Sequence, residues 1–96
     1  MRVIHHPAVF ADLHEAAQFY NLRRAGLDAE FLKEVDRSIS LVSESPQRYP
    51  IVRRTIRCCS LRRFPYGVYY RVIGNVIRII AIKHYARHPD YGMDRE

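Results

Sequence analysis

Between Tyr66 and His84 the chain reads YGVYYRVIGNVIRIIAIKH, two runs of strand-forming residues joined by Gly74-Asn75. Two such runs around a two-residue turn of this type specify a β-hairpin. In the first run, Tyr66, Val68, Tyr70 and Val72 share one face, and Tyr69, Arg71 and Ile73 share the other. The second run, Val76 to His84, is apolar on both faces over most of its length, as a central strand is. Arginines flank the whole stretch from Leu61 to Pro89, and no acidic residue occurs between Glu44 and Asp90. The hairpin is therefore expected to face something negatively charged.

The rest of the chain supplies the partners of this hairpin. Arg2 to His5 is a short strand candidate. Pro7 suits the first position of a helix, where its missing N–H would be unpaired anyway. Leu13, Ala16, Ala17 and Tyr20 then recur at helical spacing, with Asp12, Glu15 and Gln18 off that face. Gly26 is expected to end this helix as a left-handed cap. Asp28 is the expected N-cap of a second helix, with Leu27 stapled to Leu32. Leu32, Val35, Ile39 and Val42 form its apolar stripe, and Glu30–Lys33 and Glu34–Arg37 are possible surface pairs. Ser43 to Pro50 ends it, Ile56 to Phe64 is a further strand, and Tyr85 to Glu96 is irregular. The order β-α-α-β-β-β implies an α+β fold, a helical hairpin packed on a mostly antiparallel sheet. At 96 residues this is one domain, spanning 1–96. Several arginines are expected on or around the sheet face away from the helices.

Charge is uneven. Residues 1–47 carry 5 basic and 7 acidic side chains, whereas residues 48–96 carry 11 basic and 3 acidic. Fourteen of the sixteen basic residues are arginine, whose planar fork matches carboxylate and phosphate. This favours an anionic partner, nucleic acid or an acidic protein segment. Tyr66, Tyr69, Tyr70 and Tyr85 offer stacking surfaces, of which Tyr66 and Tyr70 are better read as core and Tyr69 as exposed. No apolar run is long enough to span a membrane and the N-terminus lacks a signal-peptide core, so a cytoplasmic location is expected.

The residues point to no conventional catalytic motif. There is no phosphate loop, Ser-His-Asp order or nucleophile elbow. Cys58 and Cys59 are strand neighbours that point apart, so they read as reduced hydrophobes without a disulfide or a metal. His5 and His6 diverge in the same way. No metal or other cofactor is expected. His84, Arg87 and His88, with Arg62 or Arg63, do carry the residue types for RNA cleavage: a base, an acid and cations for the phosphorane. A strand-end histidine held by the backbone is the plainer alternative.

Asp12, Leu13, Ala16, Phe19 and Tyr20 form a D-L-x-x-A-x-x-F-Y pattern. Together with Arg62-Arg63-Phe64-Pro65-Tyr66, Val68-Tyr69-Tyr70-Arg71-Val72 and Ile80-Ala81-Ile82-Lys83-His84 followed by Arg87 and Pro89, it makes the chain resemble the RelE/ParE superfamily of toxins. The resemblance covers nearly the whole length. It implies a toxin of a type II toxin–antitoxin module, neutralised by a cognate antitoxin that wraps an acidic segment around it. The RelE-like branch cleaves mRNA on the ribosome; the ParE-like branch poisons DNA gyrase and has no known cleavage chemistry. For a nuclease, the resemblance implies Arg63, His84, Arg87 and Tyr91 as site residues. A key arginine of that branch, however, aligns with Gly67, and losing one transition-state cation costs on the order of 10²-fold in rate. The ParE-like reading is therefore preferred, with Arg62, Arg63, Arg71, His84 and Arg87 meeting gyrase or the antitoxin. The alternatives are a ribosome-dependent mRNA endonuclease and an inactive homologue that only binds its antitoxin.

Overall fold

In the computed structural model, which describes residues 1–96, the elements run β1 (Arg2–His5), α1 (Ala8–Arg23), α2 (Leu27–Glu44), β2 (Ile51–Arg53), β3 (Ile56–Ser60), β4 (Tyr66–Ile73) and β5 (Val76–His84). They form one five-stranded sheet in the order β1-β5-β4-β3-β2. β1 pairs parallel with β5, and all other pairs are antiparallel. The expected α+β arrangement holds, with one strand more than β-α-α-β-β-β. The extra strand, β2, is three exposed residues at the sheet edge. Its length is too short for a period, and it follows Pro46 and Pro50 closely. β3 ends at Ser60, before Phe64, because the chain leaves the sheet for a loop that brings Phe64 into the core.

Both helices are rotated from their expected faces. α1 buries Val9, Asp12, Ala16 and Tyr20, with Leu13 and Ala17 only half-buried. Asp12, expected toward solvent, is inside. α2 buries Phe31, Val35, Ser38 and Val42, while Leu32 stays 40 % exposed. Phe31 decides this rotation. Its ring lies 5.3 Å from Tyr20, 5.3 Å from Phe64 and 5.0 Å from Tyr66, an aromatic cluster that Leu32 could not fill. Gly26 does adopt a left-handed φ of +90°, but as the N-cap of α2; α1 ends on Arg24 in extended conformation. Asp28 consequently sits in the first turn of α2, where its charge still favours the helix dipole. Glu34 pairs with Arg37 at 3.8 Å as expected, whereas Glu30 turns to Arg24 and Arg63 instead of Lys33.

The helices cover one sheet face. Val68, Tyr70, Ile77, Ile79 and Ile82 project into that core, and the Tyr70 hydroxyl donates to the Pro46 carbonyl at 2.7 Å. A β-bulge lies where Tyr69 pairs with Ala81 and Tyr70 with Ile79. It leaves Ile80 unpaired, so Ile79 and Ile82 both face the helices while Ile80 and Ala81 face away. On that second face Ile56, Ile80, Ala81 and Met93 form a smaller cluster. The segment Tyr85–Glu96, turns and irregular backbone, lies over it through Met93 and covers a face expected to be more open. Cys58 and Cys59 are both free and buried, with Cys59 packed in the main core. No helix is long and apolar enough to cross a membrane.

Burial raises the hydroxyl pKa of Tyr20, Tyr49, Tyr66, Tyr69 and Tyr70, the last to about 12, and likewise the thiols of Cys58 and Cys59. The unfolded chain loses these protons first, so it binds fewer than the native state once the pH passes the free thiol and phenol values. Lys83, whose pKa burial lowers, opposes this trend alone. The melting temperature is therefore expected to fall as pH rises from about 9 to 12, as a calorimetric pH series would record. A flat profile would contradict the packing of these rings.

Candidate functional site

β1 is short, and β5 continues past His5 with no strand beside it. Asp12 of α1 supplies the missing edge. Its carboxylate accepts the Ile82 N–H at 3.1 Å, the Tyr91 hydroxyl at 2.7 Å and the Arg95 guanidinium at 2.7 and 3.3 Å. Arg95 Nη1 also donates to the Ile80 carbonyl at 3.0 Å. One buried carboxylate thus satisfies β5 and straps Tyr85–Glu96 across the sheet.

At this end of β5, Asp12, Glu15, Tyr66, His84, Arg87 and Tyr91 line a narrow cleft between α1 and the sheet. The His84 Nδ1 accepts the Ala86 N–H at 2.9 Å, and its ring stands edge-on to Tyr66 at 5.1 Å. This is the backbone-held strand-end histidine. The Arg87 guanidinium lies 3.8 Å above the Tyr91 ring and donates to Glu15 at 3.2 Å. The hydrogen bond to Asp12, helped by burial, raises the Tyr91 hydroxyl pKa. Its proton is committed to Asp12, which makes it a poor acid or base near neutral pH.

The remaining expected residues lie elsewhere. Arg63 donates to Glu30 at 2.8 Å, and the backbone N–H of Arg62 donates to Glu34 at 3.0 Å, so this loop is tied to α2. Arg63 and then Arg24 pull the Glu30 carboxyl below its usual range. Arg71 stands on the second sheet face, on β4. His88 is exposed, its Nδ1 accepting the Asp90 N–H at 3.1 Å. His6 uses Nδ1 on the Ala8 N–H at 3.0 Å, and His5 packs against Phe10. His84, Arg87 and Tyr91 are therefore brought together, and Arg62, Arg63 and Arg71 are not among them.

Gly67 is sealed. A Cβ there would lie 2.5 Å from the Cys58 sulfur and 3.1 Å from the Tyr69 ring. Tyr69 is not the exposed aromatic that was expected; it packs against the smaller cluster, with the Lys83 Nζ 4.8 Å from its ring centre, and Tyr85 is the more exposed ring.

A larger cleft of about 490 Å³, lined by Arg53, Tyr69, Lys83, Tyr85, Arg87 and Asp90 among others, was not anticipated from sequence. Lys83 is buried, its Nζ donating to the carbonyls of Pro89 at 2.9 Å and Tyr91 at 3.1 Å. Its position as the single charge within Ile80-Ala81-Ile82-Lys83 was a usable signal. Arg53, paired with Asp90, had none, because β2 itself was not legible.

The family model describing the ParE toxin of type II toxin–antitoxin systems, parDE, matches residues 3–89. Among solved structures, the chain is similar to one of the chromosomal ParDE toxin–antitoxin system from P. aeruginosa, with a TM-score of 0.79 and 18% sequence identity. That match covers 88% of this chain and 95% of the other, and at this identity it speaks to the fold. No curated protein sequence matches significantly. The family match takes in both helices, β2 to β5 and all of β1 but Arg2, and by it this chain belongs to the ParE toxin family of type II toxin–antitoxin systems.

Proposed function

We propose that the protein is a growth-inhibiting toxin that poisons DNA gyrase in the cytoplasm and is neutralised by its cognate antitoxin, residues 1–96 acting as a single domain. Arg62, Arg63, Arg71, His84 and Arg87 are the proposed contact residues for these two partners. The second half of the chain, with 11 basic side chains against 3 acidic, suits an acidic antitoxin segment.

The observation that carries the gyrase reading over ribosome-dependent mRNA cleavage is the closed position at Gly67. The nuclease reading needs a cation there, and the space is taken by Cys58 and Tyr69. The Tyr91 hydroxyl, engaged by Asp12, adds to the argument. The chain then acts by binding and needs no acid–base chemistry of its own.

Purified protein is expected to stabilise gyrase–DNA cleavage complexes, seen as linear plasmid after detergent and protease treatment, and the antitoxin should abolish the effect. Intact supercoiling together with cut ribosome-bound mRNA would establish the nuclease instead. Unimpaired growth on expression without antitoxin would mark an inactive homologue.

A further inference from the structure

On the second sheet face Arg71 of β4 and Arg78 of β5 are directly opposite in register. Like charges at opposed strand positions repel, so such a pair is unfavourable unless something neutralises it. The protein does not. Arg24, Arg37, Arg53, Arg63, Arg87 and Arg95 all meet a carboxylate. Neither Arg71 nor Arg78 meets an Asp or Glu side chain; Arg78 donates from Nε to the main-chain oxygen of Glu96, the last residue, at 2.8 Å, and its two terminal nitrogens make no hydrogen bond within the protein. Both side chains are half-buried, so they stand up from the sheet with limited freedom.

The same row carries more charge. The register runs from Arg78 to Ile4 of β1 on one side. On the other it continues past Arg71 to Ile56, which pairs with Arg53 at the far edge. Arg54 follows in the turn, held at a left-handed φ of 53°. Arg2 lies two residues before Ile4 on the same strand face. Arginines thus recur across a five-stranded sheet, a span of roughly 20 Å at the usual strand spacing, with Arg53 neutralised by Asp90 and the opposed Arg71–Arg78 pair left free of side-chain carboxylates at its middle.

We infer that the Arg71–Arg78 pair and its row bind the phosphodiester backbone of duplex DNA. Two parallel guanidinium forks with free nitrogens suit phosphate oxygens. Ile56 in the row is buried, and the apolar side chain exposed on the same face, Ile73, lies at the hairpin end, so the surface offers charge more than an apolar anchor. Nor does the row present an exposed aromatic ring, which single strands use for stacking. The inference goes beyond the gyrase reading, since it concerns direct contact with DNA whether or not gyrase is present.

The test is anisotropy of a labelled duplex of about 20 base pairs without gyrase, from roughly 50 to 200 mM salt. Arg71→Gln/Arg78→Gln is expected to weaken binding about ten-fold and to reduce the log–log salt slope by about 2, one unit per lost phosphate contact. The variant should fold, because it removes a repulsion. Arg23→Gln/Lys33→Gln, which removes equal charge from the helices, should change affinity less than about three-fold. Equal losses in the two variants would reduce the effect to general charge and overturn the inference. So would a wild-type protein that does not bind duplex, or a stem-loop RNA or the antitoxin binding through Arg71 and Arg78 while duplex binding is unchanged. None of these results bears on gyrase poisoning, which the cleavage-complex assay decides separately.

Discussion

Replacing Asp12 by alanine is expected to destabilise the protein by about 3–5 kcal/mol, enough to threaten folding of a domain this small. The side chain of Asp12 is 1% exposed and its oxygens serve three partners: the Ile82 N–H, the Tyr91 hydroxyl and Arg95. Truncation leaves the Ile82 amide of β5 without an acceptor and a largely buried guanidinium without its countercharge. Each such orphan costs more than the bond itself was worth. At this chain length the melting temperature should drop by roughly 15–30 °C. Asp12→Asn keeps an acceptor for Ile82 and should cost clearly less. Urea denaturation of both variants, with exchange of the Ile82 amide as a local probe, checks the argument. A loss below about 1 kcal/mol for the alanine variant would show that Asp12 does not hold the tail and β5 together.

Gly67→Arg would place arginine where a ribosome-dependent nuclease of this superfamily is expected to have one. It should not confer cleavage, and it should cost about 3 kcal/mol, the upper end of overpacking. The first side-chain atom already meets the Cys58 sulfur at 2.5 Å, and that sulfur is buried. The strand must shift, or Cys58 must leave its site. Cys58→Ala in the same chain removes the obstructing atom and should recover a large part of the loss. The two changes are therefore non-additive, as a double-mutant cycle would measure. Additive losses would place the strain elsewhere, and mRNA cleavage by Gly67→Arg would show that the nuclease lacked only one cation.

The long periodic segments were legible because each buries a continuous face. The β4–β5 hairpin, the short strand Arg2–His5 and the helical hairpin all follow from local pattern and turn chemistry, whereas the parallel pairing of β1 with β5 did not. β2 was not, since three exposed residues carry no period. The faces of the helices were legible only to within a neighbouring residue. Leu32 fits the stripe as well as Phe31 does, and the choice fell to an aromatic cluster assembled from Tyr20, Phe64 and Tyr66, far apart in sequence.

The site divides in the same way. The residue types at its strand end, His84, Arg87 and Tyr91, were visible as a motif, and so was the excess of arginine in the second half. Local sequence determined the elements, the hairpin turn and the positive charge, because those depend on spacing and composition. Only the tertiary structure decided which arginines are neutralised and that Gly67 is closed. Those outcomes depend on what packing between elements sets beside each side chain: Glu15 beside Arg87, Glu30 beside Arg63, and Cys58 beside Gly67.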